Sequence, residues 1–278
     1  MKKLICLLPF LSLLLWSCSD SEPPLPAGAM PIVVEGWIEK DMSPVVIVTH
    51  AADLTAENPT FDGFVEKWAR VSIYDNGTQY ILSGRIDKDY AASFVYTSAR
   101  LHGREGHTYR LVVETETDSA EAAVTMLPAP AITRLEAVPV AGNDTLFSIR
   151  AYVDGIAPEG YYKFFTRTQG LETRNFGSFL GTFMGKDYNS GDGYIITRGI
   201  HSSYDDKNFS HYYAKGSTVI VSIAAIDSAL YDFWSVFDSN LSLSGNLFFT
   251  FAENCPSNIR GGLGYWAAYS PSVKIIRL

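Results

Sequence analysis

The amino-acid sequence predicts an all-β protein built as two tandem β-sandwich-like domains, with one amphipathic helix near the C-terminal end of the second. Three observations carry that prediction. Short runs of β-branched and aromatic residues recur between clusters of Gly, Pro, Asn and Asp. An Asn-Gly pair lies between two such runs, a strong hairpin signal because both residues tolerate positive φ. Only one stretch of the chain repeats its apolar residues at a convincing helical period. The 16 Tyr, 16 Phe and 5 Trp are enough to fill a core, so the chain is not of the disordered class.

The first domain is expected over 30–130. Ile32 to Ile38 opens it as a strand, and Val45 to Thr49 follows after the Ser43-Pro44 turn signal. Residues 51–64 are polar and read as a surface loop. Ala69 to Tyr74 and Gln79 to Leu82 flank Asp75-Asn76-Gly77 as a hairpin. Phe94 to Tyr96, Tyr109 to Val113 and Ala122 to Met126 complete an immunoglobulin-like or transthyretin-like sandwich. Leu127-Pro128-Ala129-Pro130 ends it, because proline leaves ladder bonds unmade.

The second domain is expected over 131–278. Strands are predicted at Ile132 to Leu135, Leu146 to Val153, Tyr161 to Thr166 and Ser217 to Ala225. Residues 169–217 carry the weakest pattern and read as a long loop region, a frequent seat of function. The helix is predicted over about 228–241: Leu230, Phe233, Trp234, Phe237 and Leu241 form the apolar stripe, and Asp232, Ser235 and Asp238 take the opposite face. Asp227 or Ser228 is its cap. Phe248 to Phe251 and Ser272 to Leu278 are the expected closing strands.

Ahead of the folded part, residues 1–17 read as a lipoprotein signal peptide. Lys2 and Lys3 precede an apolar run, Leu4 to Leu15, that is too short to span a bilayer, which takes about 20 residues. Leu15 and Ser17 stand at −3 and −1 to Cys18, which makes Cys18 the expected lipid attachment site; an ordinary signal peptide cut near Ala27 is the alternative. Residues 18–29 are an acidic, proline-marked tether. In it Ser19, Asp20, Ser21 and Glu22 form a candidate surface-export signal, resembling that of Bacteroidota lipoproteins. The expected location is therefore the outer membrane, lipid-anchored and facing the cell exterior.

Charge and motifs exclude several function classes. With Lys2 and Lys3 gone, 20 basic residues face 30 acidic ones, the wrong balance for nucleic acid. Of the three cysteines, Cys6 leaves with the leader and Cys18 is spent on lipid. Cys255 is then unpaired, either a small buried hydrophobe or a reactive thiol. No HExxH, CxxC or G-x-S-x-G occurs, and no metal, cofactor or catalytic residue is predicted. Asp187 to Gly193 is out of register with a calcium loop. His201 and His211 flank Asp205-Asp206 without ligand spacing.

Asp118-Ser119-Ala120, Asp144-Thr145-Leu146 and Asp227-Ser228-Ala229 match a pattern resembling the O-glycosylation preference of Bacteroidota, where composition gives roughly one match. Ser119 and Thr145 are the candidate acceptors. The third match is also a helix-cap signal. Tyr188, Tyr194, Tyr204, Tyr212 and Tyr213 are candidate stacking residues for a glycan or peptide, alongside the bland reading that they fill strand faces.

Two stretches carry a family resemblance: Ile32-Val33-Val34-Glu35-Gly36-Trp37-Ile38, and Pro256-Ser257-Asn258-Ile259-Arg260-Gly261-Gly262-Leu263-Gly264-Tyr265-Trp266. They resemble, in the expected order, the two ends of the Bacteroidota surface lipoproteins grouped as domain of unknown function 4249. That resemblance implies an accessory role beside a TonB-dependent outer-membrane receptor and supplies no catalytic residues. Gly261, Gly262 and Gly264 read as a tight turn with close backbone approach rather than a phosphate cradle. The expected function is a non-enzymatic, ligand-binding or accessory component of TonB-dependent uptake. The alternatives are a structural or adhesive surface module and a surface polymer hydrolase.

Overall fold

The structure, a computed structural model, describes residues 31–50, 63–90, 92–199, 210–243 and 254–278. The leader, Cys18 and the acidic tether lie outside them, as do Tyr204, His201, Asp205 and the strand expected at Phe248 to Phe251. Among the described residues, strands make four sheets and there is one α-helix.

The first two sheets pack face to face. One contains β1 (Ile32–Glu39), β2 (Val45–His50), β5 (Ser83–Ile86), β6 (Phe94–Thr97) and β16 (Leu263–Tyr269), in the order β16-β1-β2-β6-β5. The other contains β3 (Arg70–Asp75), β4 (Thr78–Ile81), β7 (Thr108–Glu114) and β8 (Ser119–Thr125), in the order β4-β3-β7-β8. Alternation decides which side chains meet between them. Ile32, Val34 and Ile38 of β1 point in, as do Ile73, Tyr109 and Leu111 of the facing sheet, and all are buried. The Asn-Gly hairpin forms as expected: Asn76 and Gly77 take φ of 47° and 82°, and β3 pairs with β4 around them.

The other two sheets make a second core. One joins β9 (Ala131–Val140), β10 (Asn143–Asp154), β13 (Tyr194–Ile196) and β14 (Tyr213–Ala214). The other runs β12-β11-β15-β17, with β11 (Tyr161–Thr168), β12 (Phe176–Met184), β15 (Thr218–Ile226) and β17 (Ser272–Arg277). Val219, Val221 and Ile223 face the second core, whereas Ala224 and Ile226 join the first core beside the helix α1 (Ser228–Leu243). Cover on both faces explains why β15 is an almost continuous apolar run.

The boundary expected at residue 130 is crossed by the chain's own C-terminal part. β16 pairs in parallel with β1 through seven residues, from Val33↔Leu263 to Glu39↔Tyr269. Ile259 and Trp266 to Tyr269 accordingly belong to the first core. The glycines make this possible. A Cβ on Gly264, which has φ of 105°, would land on the Val34 carbonyl oxygen, and one on Gly262 would lie 2.8 Å from the Ile32 carbonyl oxygen. On the partner strand a Cβ at Gly36 would sit 2.9 Å from the Trp266 ring. Trp266 is fully buried and donates its indole N–H to the Tyr109 carbonyl at 3.0 Å, tying the two sheets together. The glycine turn foreseen in the sequence thus leads into a first-domain strand, which its periodicity did not announce.

Residues 169–217 are not one long loop, since β12, β13 and β14 lie within them. β12 was hidden by a bulge: Lys163 and Phe165 on β11 face Thr182 and Gly177, so several residues of β12 oppose one of β11. Leu180 at its tip takes φ of 54°.

The helix corrects a second expectation. Asp238 lies on the buried side with an exposure of 3 %, and Phe237 is the more exposed residue. Four residues beyond Trp234, Asp238 falls on the same stripe. Its carboxylate accepts a 3.0 Å hydrogen bond from the Lys163 ammonium, which also donates to the Ser178 carbonyl at 3.0 Å and the Thr182 hydroxyl at 2.9 Å. All three ammonium protons are satisfied, and the Trp234 ring lies 4.6 Å away. Removing one partner strands the other charge, so Asp238→Ala is expected to cost about 3–5 kcal/mol in denaturant unfolding. The double variant Lys163→Met with Asp238→Leu should stay near wild-type stability. Gly264→Ala is expected to destabilise by more than about 3 kcal/mol in the same measurement, since both its φ and the Val34 backbone exclude a side chain.

Candidate functional site

A groove of about 440 Å³ opens between β8 and residues 257–260, lined by Arg110, Glu121, Ala122, Ala123 and Ser257 to Arg260. Its floor is set by strand alternation. On β8 the even residues Ala120, Ala122 and Val124 are buried, so Glu121 and Ala123 turn outward, next to Arg110 of β7. Its far wall is positioned by Asn258, whose side-chain amide donates to the Trp266 carbonyl at 2.8 Å and accepts the Trp266 N–H at 2.9 Å. Arg260 is held by main-chain bonds with Glu121 in both directions, at 2.8 and 2.9 Å.

The groove's charge is two guanidiniums around one carboxylate. Arg110 and Arg260 each approach Glu121 at 3.3 Å, on its two different oxygens. Arg110 also lies 4.2 Å over the Tyr74 ring. Exposed pairs of this kind are worth about 0–1 kcal/mol, so either arginine can turn to an incoming anion at little cost. The groove offers hydrogen-bond donors and positive charge.

A second cluster of polar groups sits where β1 and β16 meet the second sandwich. The Tyr265 hydroxyl donates to Glu35 at 3.2 Å, and Phe233 packs on Tyr265 at 4.7 Å. Burial pushes the Glu35 and Glu39 carboxyls above their ordinary range, opposed by the charges of Arg174 and Arg167 respectively. Arg174 lies over Tyr90 at 5.0 Å and Phe176 at 4.7 Å. The neighbouring cavity between Glu39, Phe165, Asn175, Ser222, Tyr269 and Pro271 holds about 10 Å³, too little for anything larger than one water. Shifted carboxyls often mark active sites, but here the space is filled by protein.

The predicted tyrosines do not gather into one stacking surface. Tyr213 is 1 % exposed and lies in the second core. Tyr188 accepts the Val153 N–H at 2.7 Å. Tyr194 donates to the Leu180 carbonyl at 2.7 Å and stacks on Phe183 at 4.5 Å, and burial pushes its hydroxyl up to about 12. Tyr194 and Tyr213 lie on strands and Tyr188 on the turn after β12, and all three pack into or against the second core. Tyr212 is exposed.

Ser119 and Thr145 are both exposed. The Thr145 hydroxyl donates to Asn143 at 2.8 Å within a local turn. Asp227 caps α1, accepting the Leu230 N–H at 2.8 Å. In the Asp187 to Gly193 turn, Asn189 donates to Asp192 at 2.6 Å. Among the described residues no group of three or more His, Cys, Asp or Glu is placed to hold a metal. No described helix is long and apolar enough to cross a membrane. Burial pushes the half-buried Cys255 thiol up, away from the reactive thiolate.

The two stretches singled out by resemblance are thus paired strands in one sheet, with the groove beside the second. The model of a family described as a domain of unknown function (DUF4249) matches residues 20–275. The chain belongs to the DUF4249 family. Comparison with curated proteins returns no match. In this DUF4249 chain the groove residues Arg110 and Glu121 went unforeseen, because outward strand positions carry no signal until the facing strand is known. Arg260 lies within the resembling segment, whose sequence signal is carried by its glycines.

The raised carboxyls give a pH dependence of defined sign. A carboxyl whose folded value lies above its unfolded one, about 4.5, stabilises the fold below that pH and loses the contribution as pH rises through the folded value. Stability from Glu35 should therefore fall above about pH 4.5. Glu35→Gln keeps an acceptor for the Tyr265 hydroxyl and is expected to flatten that fall, as read from unfolding midpoints between pH 4 and 8.

Proposed function

We propose that this chain is a surface-exposed outer-membrane lipoprotein of Bacteroidota type, anchored through acylated Cys18, and that it serves without catalysis as an accessory or ligand-binding component of TonB-dependent uptake. The observation that carries the location is the leader: Leu15-Trp16-Ser17-Cys18 followed at once by Ser19, Asp20, Ser21 and Glu22. Membership of the DUF4249 family supports the rest of the reading only through the resemblance to Bacteroidota surface lipoproteins, which implies a role beside a TonB-dependent receptor. The groove supports binding over chemistry, because Glu121, the one acid lining it, is shared between two arginines. General acid–base work needs a carboxyl free to meet substrate and exchange a proton with it.

The docking partner is then a TonB-dependent receptor or a nutrient peptide or glycan, met at the groove. Cys18→Ala is expected to release the protein into the soluble fraction. Asp20→Ala with Glu22→Ala should leave it anchored yet shielded from protease added to whole cells, and continued digestion would place the export signal elsewhere. Affinity isolation of the native lipoprotein from solubilised membranes should co-purify a TonB-dependent receptor; its absence overturns the uptake role.

A further inference from the structure

We infer that the outer edge of β8 takes up an extended peptide as an added strand, with an acidic side chain of that peptide seated between Arg110 and Arg260. The inference deepens the reading of the groove as a docking surface and rests on it.

The edge is open beside the groove. β8 ends its sheet, paired on one side with β7. On that side point the main-chain groups of the even residues, as the Met126 N–H bonded to the His107 carbonyl at 2.9 Å shows. Those of Ser119, Glu121, Ala123 and Thr125 therefore point outward. Glu121 has its outward pair completed by Arg260, whose N–H and carbonyl both bond to it. The chain supplies one residue of a fifth strand of this sheet there and no more, because Asn258 is turned aside to bracket Trp266. Past that point Ala123 presents donor and acceptor to the groove, and Thr125 continues the same edge beyond it, along the line that Arg260 begins.

The side chains suit the same occupant. Natural edges are commonly blunted by proline, lysine or a bulge, and Ser119 to Thr125 contains none of these and pairs with β7 without a register shift. Ala123 stands directly opposite Arg110. Its short side chain leaves Arg110 a clear reach to a residue added beyond it, and Arg260 flanks the same position. Main-chain bonds supply affinity without regard to sequence, and the two guanidiniums select a carboxylate on the outward face. The partner is thus an extended segment with an acidic residue among β-formers, rather than a sugar, which brings neither a main-chain ladder nor a charge.

The probe is an acetylated, amidated pentapeptide, Thr-Val-Glu-Val-Thr, titrated into the mature chain and followed by calorimetry. Saturable binding with a dissociation constant below about 1 mM is expected, weakened about tenfold when the central Glu is Gln. Two N-methylated forms decide the mode: methylation of the alternate amides that face β8 should abolish binding, and methylation of the others should not. Equal binding by the two forms overturns the proposal, as does an absence of saturable binding by the parent peptide. Ala123→Pro removes only an outward N–H, so it should melt within a few degrees of wild type and fail to bind; unchanged binding overturns the proposal. Should that variant not fold, the methylated pair still gives the answer. Peptide binding that persists where no receptor co-purifies would sink the uptake role and support the strand addition.

Discussion

The parallel contact between β1 and β16 is the constraint on which the remaining architecture depends. It brings the first described strand and nearly the last into one sheet, and it exists only because side chains are missing where the two backbones meet. Gly264 and Gly262 admit the carbonyls of Val34 and Ile32, and Gly36 admits the Trp266 ring. Trp266, once seated, bonds across to Tyr109 in the facing sheet. Asn258 grips the Trp266 main chain from outside, and that grip turns the segment before Arg260 away from β8, leaving Arg260 alone bonded to Glu121. The groove is therefore a by-product of the way the C-terminal strand is held.

A second fixture joins the helix to the sheet behind it. The Lys163 ammonium, wholly buried, reaches Asp238 through the space opened by the bulge of β12. Gly177 leaves that space clear, since a Cβ there would lie 3.0 Å from the Lys163 side chain and 3.1 Å from Trp234. A buried ion pair of this kind adds little net stability against an apolar pair of equal volume, but it admits one seating of the helix and penalises others. That seating presents Phe233 and Trp234 to Tyr265 of β16. The helix thus clamps the strand that closes the first sandwich.

Much of this was legible in the residues. Alternation placed the first-domain strands, Asn76-Gly77 placed a hairpin, and the stripe of Leu230, Phe233 and Trp234 placed the helix with its Asp227 cap. What escaped has physical causes. β12 was masked because its bulge breaks the two-residue period on which strand recognition rests. Asp238 reads as outward because a lone carboxylate belongs in water, and only a buried ammonium 75 residues away in sequence reverses that preference. β16 was missed because a strand's partner is invisible locally, and nothing in Leu263 to Tyr269 says that it pairs with residues near the other end. The groove was illegible for the same reason. Arg110, Glu121 and Arg260 come from three separate segments and are ordinary surface charges until the fold joins them.

Tyr265 donates to a carboxylate 230 residues earlier in the chain, and this separation has a bearing on the order of events in folding. The entropy of closing so long a loop grows only logarithmically, so the finished contact is not weak for being distant. Its formation is nevertheless slow, because contacts of high sequence separation must wait for a long diffusive search. Until the last segment arrives, β1 carries a bare flank and the first core lacks its largest fully buried side chain. The N-terminal sandwich is therefore incomplete for as long as the ribosome withholds the C-terminal residues. A chain shortened by its final two dozen residues would lose the half of the molecule that was made first.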